Sequence, residues 1–347
     1  MYSLNRCGGS TTWSSTEMMV YEISLGSGSG RKRSESKEVV TLNSKSVRKI
    51  FIVVLAIKPH NFTLEFEQEG EKVKTRKVAF VTGASRGIGR ACAVALAQAG
   101  YDVAVSARTM IDGTAFLDDG VTPVSGGLDT TVDQIRAAGQ EGHPIQMDLL
   151  DRHSVIHAAD EAIEHFGRID VLVNNAIYQG PGAMLTIEEL DDTNLKQLFE
   201  GNVFAQLGLI RHLLPAFIQQ GGATIVNMIS ATAFINPPGK IGSGGWGVGY
   251  AMSKSAFERV APLLMVEHGD EGIVTYNIDP GHVITERQVA KRKEKEYTAF
   301  PSAPPEAIGA AVAWLVEDSR ARDEYAGTIV NAQRETKRRG LLPGWPE

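Results

Sequence analysis

Three features predict a doubly wound α/β domain on a parallel sheet. The strands are short and apolar throughout, they alternate with helical segments from Lys77 onward, and a glycine-rich turn joins the first strand to the first helix. "KVAFVT" is the first strand. "GIGRACAVALAQAG" is a helix with Ile88, Cys92, Ala95, Leu96 and Ala99 as its expected apolar face and Gly100 as its stop. "DVAVSA" is the second strand, followed by a polar loop over residues 109–128 and a helix over residues 130–138. "HPIQMD", the helix "SVIHAADEAIEHFG" and "DVLVNNA" continue the alternation. A helical region over residues 190–219 leads to the strand "ATIVNMIS", and after a glycine run comes a helix from Tyr250. The strand "IVTYNID", a charged segment, a helix over residues 305–316 and the strand "GTIVNA" complete the order. Ligands of such a fold bind beyond the carboxyl ends of the strands.

Residues 1–72 read differently, and the Rossmann-like domain is placed at residues 73–347. The first segment is Ser-rich, includes "GSGSGRKRSESK" and has no sustained period, which is the pattern of a disordered or non-core extension. Two explanations stay open. One is an organelle transit peptide, against which its four Glu count; the other is translation from a later start near Val73. Residues 1–49 hold eight Lys/Arg against four Glu, a net of +4, so residues 50–347 carry −10 of the chain's −6. An acidic body without a basic stripe argues against nucleic acid as partner. The longest apolar run, Ile50–Ile57, falls far short of the ~20 residues of a membrane span, so no membrane is expected and the location is read as cytoplasmic. Cys7 and Cys92 give neither a disulfide framework nor a metal spacing.

In "TGASRGIG", Thr82–Gly89, Gly83 lets the chain leave the strand, Gly87 permits close approach to a phosphate, and Gly89 lets the helix pack on the sheet. The helix start then offers free N–H groups and its positive dipole end to a pyrophosphate. No Lys-Ser/Thr follows, so this is not a nucleoside-triphosphate loop. The motif resembles that of the short-chain dehydrogenase/reductase family, and the likeness extends from about Lys77 to Ala332. The resemblance implies dinucleotide contacts from Gly83, Ser85, Arg86, Gly87, Ile88 and Gly89. It adds Asp148 and Leu149 at the adenine, Asn175 and Ala176 of "NNA" beside the central strand, and Pro280, Gly281, Val283 and Thr285 of "PGHVIT" at the nicotinamide. Ile177 departs from the glycine that many members carry there. An acid after the second strand would favour NAD, but Ala107-Arg108 stands there, and Arg86 lies inside the turn. Two guanidiniums beside the adenosine ribose favour a 2′-phosphate, so NADP is the expected cofactor, with NAD as the alternative.

The family's catalytic group matches Asn202, Ser230, Tyr250 and Lys254. Tyr250 and Lys254, four residues apart on a helix, share a face, and Ser230 ends the preceding strand. A free tyrosine titrates near pH ~10, about 4 kcal/mol from serving as a base at neutrality. Lys254 as ammonium, with the oxidised nicotinamide, would stabilise the phenolate and also hold the nicotinamide ribose. Ser230 would hydrogen-bond the substrate oxygen, and Asn202 would hold a water linking Lys254 to solvent.

The expected function is carbonyl–alcohol interconversion on a small-molecule substrate by a homodimer or homotetramer. The alternative is a non-catalytic NADP(H) sensor, which would not need Tyr250 and Ser230 together. Lys291–Glu296, "KRKEKE", is read as a solvated helix face. The run "GKIGSGGWGVG" between Ser230 and Tyr250 is read as a lid whose Trp246 covers the substrate, with a permanently docked connector as the competing reading.

Overall fold

The computed structural model describes residues 4–6, 21–23, 76–117, 119–291 and 302–346. It divides into two units, Met1–Val73 and Lys74–Glu347. In the first, Leu4–Arg6 pairs antiparallel with Tyr21–Ile23. Apart from residues 4–6 and 21–23, the reading of residues 1–72 as a disordered or non-core extension lies outside the described residues, as do the apolar run Ile50–Ile57 and the charged run beyond Lys291.

The main sheet of the second unit is built, among the described residues, from seven strands: β1 Lys77–Thr82, β2 Tyr101–Ala107, β3 Gly142–Gln146, β4 Val171–Asn174, β5 Ala223–Met228, β6 Ile273–Asp279 and β7 Ile329–Asn331. They form one parallel sheet in the order β7-β6-β5-β4-β1-β2-β3. Every residue of β2, β4 and β6 is buried, because helices cover both faces and no solvated side needs polar residues. Strand order reverses between β1 and β4, so the crevice for a ligand opens beyond their carboxyl ends.

Helix α1, Gly87–Gln98, leads out of β1, and α2, Leu128–Ala137, follows β2. α3, Arg152–Phe166, begins at Asp151, whose carboxylate accepts from the His153 and Ser154 amides, and stops at Gly167 in the left-handed region. On α1 the expected apolar face is only partly right. Cys92 and Leu96 are buried, but Ala95 is half-buried and Ala99 exposed, whereas Gly89, Ala93 and Ala97 are buried. The reason is a second covered face against α9, Pro305–Glu317: a Cβ on Gly309 would lie 2.4 Å from the Ala91 carbonyl oxygen, so small residues set that contact.

The predicted helix over residues 190–219 is three pieces. α4, Asp192–Phe199, is capped by Asp191; a π-turn spans Glu200–Phe204; α5 runs Ala205–Gln219. Two helices follow the glycine run, α6 Val248–Glu258 and α7 Val260–His268, with the Glu258 carbonyl held by the Asn277 amide of β6. α8, Glu286–Lys291, α10, Ser319–Tyr325, and α11, Ala332–Arg339, were not expected from the sequence pattern. The polar loop after β2 holds a two-residue hairpin, Ala115–Phe116 with Pro123–Val124.

Candidate active site

At the switch point the glycine turn has the geometry its residues require. Gly83 (φ 67°) and Gly87 (φ 54°) occupy the left-handed region. A Cβ on Gly89 would lie 2.2 Å from the Gly83 carbonyl oxygen, and one on Gly83 would lie 2.7 Å from the Ala176 Cα. The Thr82 hydroxyl accepts from the Asn175 and Ala176 amides, and the Asn175 side chain donates to the Thr82 and Gly83 carbonyls. Asn175 therefore supports the turn through its side chain. Thr285 faces Gly87, its Cγ2 3.0 Å from where a Cβ would stand, so the turn and the "PGHVIT" loop close on one groove. Pro280 and Val283 are buried and Gly281 is left-handed (φ 64°). Ser85 and Leu149 are buried, Ile88 is half-buried, and Asp148 turns its carboxylate onto the Leu150 amide. A cradle that a single Cβ would fill, followed by a helix start, suits a dinucleotide.

The two arginines at this end are placed differently. Arg86 donates through Nε and Nη2 to the Ser125 and Gly126 carbonyls at 2.9 and 2.6 Å, so the loop after β2 folds back onto it. Arg108 is exposed and makes no ion pair among the described residues. Glu286, which the sequence reading missed, places Oε2 2.8 Å from the Gly87 amide and Oε1 3.1 Å from Arg90 Nη1. A carboxylate thus caps the helix start where an anion is expected. Its only sequence signal is an acid directly after Thr285.

At the other end β5 delivers Ser230, which caps a short turn, Ala231–Ala233, while α6 delivers Tyr250 and Lys254. The Ser230 side chain lies close enough to the Tyr250 hydroxyl to act on its ionisation, and its Oγ accepts from the Thr232 amide at 3.3 Å. Lys254, 2% exposed, donates to the Met228 carbonyl at 2.6 Å. Asn202 sits in the π-turn, a distortion common at functional sites. Its Oδ1 accepts from the Tyr178 amide, and Nδ2 donates to the Tyr178 carbonyl and to Ser253 Oγ. Ser253 in turn donates to the Tyr250 carbonyl. Ser230 and Tyr250 are therefore neighbours, Lys254 stands one helical turn beyond Tyr250 and reaches the Met228 carbonyl two residues before Ser230, and Asn202 joins the Tyr250 backbone through Ser253. Both amide protons of Asn202 are already engaged.

Burial pushes the Tyr250 phenol above its usual range; the Ser230 side chain opposes this and the charge of Asp279 adds to it. Burial also lowers Lys254 to about 8, which leaves an ammonium at neutral pH. The buried Cys92 thiol rises to about 12 and is inert. Among the described residues no cluster of His, Cys, Asp or Glu fits a metal, and no helix is long and apolar enough to cross a membrane. Trp246 is half-buried in a loop turned by hydrogen bonds from Ser243 and Gly245 to the Lys240 carbonyl.

A family model described as short chain dehydrogenase matches residues 77–119 and 120–296. The short chain dehydrogenase mpl6 of Monascus purpureus is 31% identical over 272 residues, 76% of this chain and 83% of its own length. The 3-oxoacyl-[acyl-carrier-protein] reductase FabG of Staphylococcus aureus is 28% identical over 239 residues, 67% of this chain and 85% of the reductase. A Burkholderia xenovorans structure, described as a short-chain dehydrogenase/reductase, superposes with a TM-score of 0.59 at 27% identity, covering 76% of this chain and 97% of its own. With the glycine cradle at the strand-order reversal and the Ser–Tyr–Lys group two strands away, the chain belongs to the short-chain dehydrogenase family and is an NAD(P)-dependent oxidoreductase.

Proposed function

We propose that the chain is an NADP-dependent oxidoreductase that interconverts a carbonyl and a secondary alcohol, with Tyr250 as the acid and base. The observation that carries this reading is the convergence at the carboxyl end of β5 of Ser230, its neighbour Tyr250, and Lys254, whose ammonium donates to the Met228 carbonyl. When bound, the reduced nicotinamide supplies the hydride. As the carbonyl carbon accepts it, negative charge gathers on the oxygen, and the Tyr250 hydroxyl gives that oxygen its proton. Ser230, which neighbours the Tyr250 hydroxyl, is placed to donate to the same oxygen and align it. Lys254 offsets the phenolate that remains, because its ammonium lies on the same helix face with few groups to screen it. Asn202 braces this arrangement through Ser253.

The preference for NADP rests on Arg108, an exposed guanidinium after β2 where an acid would favour NAD. Arg86 supports it less directly, since two of its donors hold the loop after β2. Exposed Leu263 and Val266 on α7 favour a homodimer or homotetramer through the long helices, and elution at one monomer mass in gel filtration would count against that. The function is tested by a panel of ketones, aldehydes and secondary alcohols that includes 3-oxoacyl thioesters, the class named for the staphylococcal reductase. Following NADPH and NADH absorbance, the reading expects turnover on at least one pair and a higher kcat/KM with NADPH. Preference for NADH would overturn the role of Arg108.

A further inference from the structure

Strand β6 ends in Asp279, a carboxylate only 5% exposed. Its Oδ1 accepts two backbone N–H groups, from Ala231 at 3.0 Å and from Gly281 at 3.1 Å. Its Oδ2 accepts from Asn331 Nδ2 at 3.1 Å, and Asn331 Oδ1 accepts from the Arg334 amide at the start of α11. No basic side chain pairs with Asp279 among the described residues. A buried carboxylate held by neutral donors keeps its stability through those hydrogen bonds, while its charge still acts on its neighbours.

The two amides on Oδ1 belong to the two halves of the site. Ala231 directly follows Ser230. Gly281 opens the loop that carries Val283 and Thr285, and its left-handed turn is closed by this bond. One oxygen atom therefore ties the backbone directly after Ser230 to the first turn of the Pro280–Thr285 loop. We propose that Asp279 is a positioning residue of the Ser230–Tyr250 pair, aligning Ser230 with the Pro280–Thr285 loop and suiting the site to deliver a proton to a carbonyl oxygen. This rests on the reading of Tyr250 as the acid.

The electrostatics agree with the geometry. The Asp279 charge disfavours a phenolate at Tyr250, in the same direction as burial, while the Ser230 side chain acts the other way. Lys254, also charged at this end, is turned to the Met228 carbonyl. A phenol kept protonated to higher pH serves reduction, because reduction consumes its proton and fails as pH rises through its pKa.

Asp279→Asn and Asp279→Ala separate the two roles in the full chain. The amide of Asn still offers an oxygen to both N–H groups but carries no charge; Ala offers neither. With [13Cζ]tyrosine labelling, and Tyr250→Phe to assign the signal, Tyr250 in Asp279→Asn should ionise about half a pH unit or more below its wild-type position. With NADPH and 9,10-phenanthrenequinone as an activated carbonyl, the alkaline limb of kcat should move down by the same amount in Asp279→Asn. Asp279→Ala should lose about tenfold or more in kcat, and Asp279→Asn should recover most of that loss. An unmoved Tyr250 signal in Asp279→Asn, or wild-type kcat in Asp279→Ala, would overturn the proposal. A wild type that binds NADPH but reduces no carbonyl would count against the proposed function, while the tyrosine titration would still decide the role of Asp279.

Discussion

Replacing Lys254 by Met should make the folded chain more stable at neutral pH while removing its activity. Lys254 is buried, among the described residues its one hydrogen bond goes to a neutral carbonyl, and burial lowers it from 10.5 to about 8. That displacement corresponds to about 3 kcal/mol by which the folded state disfavours the ammonium. Met has nearly the same length and no charge. The Met228 carbonyl loses its partner, which costs about 1–2 kcal/mol, so a net gain of roughly 1–2 kcal/mol remains at pH 7. In a domain of this size that is a rise of roughly 2–6 °C in Tm. The pH dependence follows from linkage. Below the folded pKa of about 8 the lysine is charged in both states, and its penalty is fully present. Between there and the unfolded value the unfolded chain holds more protons, so wild-type stability gains on the variant as pH rises. Thermal melts of wild type and Lys254→Met at pH 7 and at about pH 9.5 test this, the gap narrowing at the higher pH. A variant that melts lower at pH 7, with the same pH dependence as wild type, would refute the picture of an unpaired buried ammonium.

Two further outcomes follow from the groove. Glu286→Gln removes a carboxylate from the Gly87 amide where a pyrophosphate is expected, so NADPH should bind about two- to fivefold more tightly in a fluorescence titration. Weaker binding would mean that Glu286 organises the turn rather than competes for it. Trp246→Ala should raise KM for an active carbonyl about fivefold and leave the NADPH Kd unchanged, the loss of roughly 1 kcal/mol of apolar contact. Unchanged KM would leave the glycine run as a connector.

The fold was legible where backbone geometry demands particular residues. Thr82–Gly89 had to combine two left-handed positions with a close helix–strand approach, and only glycine satisfies all three. Tyr250 and Lys254 were legible through helical spacing, and the sheet through strands too apolar for a solvated face. What stayed hidden depends on contacts between distant segments. Nothing local to Arg86 announces that the Ser125 and Gly126 carbonyls return to it. Asp279 and Glu286 are single acids that each bond an amide far along the chain, Ala231 at 48 residues and Gly87 at 199. The π-turn leaves the apolar period of the surrounding helix nearly intact, so residues 190–219 read as one helix. α11, "AQRETKRR", has almost no apolar residues; it is held by buried Glu335 between Arg338 and Arg339, an arrangement that periodicity does not detect.

The central claim is that Tyr250 transfers the proton in a reaction for which Ser230 and Lys254 only prepare it. Its most direct test is the Tyr250→Phe variant, which removes one hydroxyl from a half-buried ring. NADPH Kd and steady-state kcat should be measured side by side with wild type on the best carbonyl of the panel. The account predicts a Kd within about twofold of wild type and a kcat lower by about a hundredfold or more. A variant that binds NADPH normally and keeps most of its kcat would contradict it.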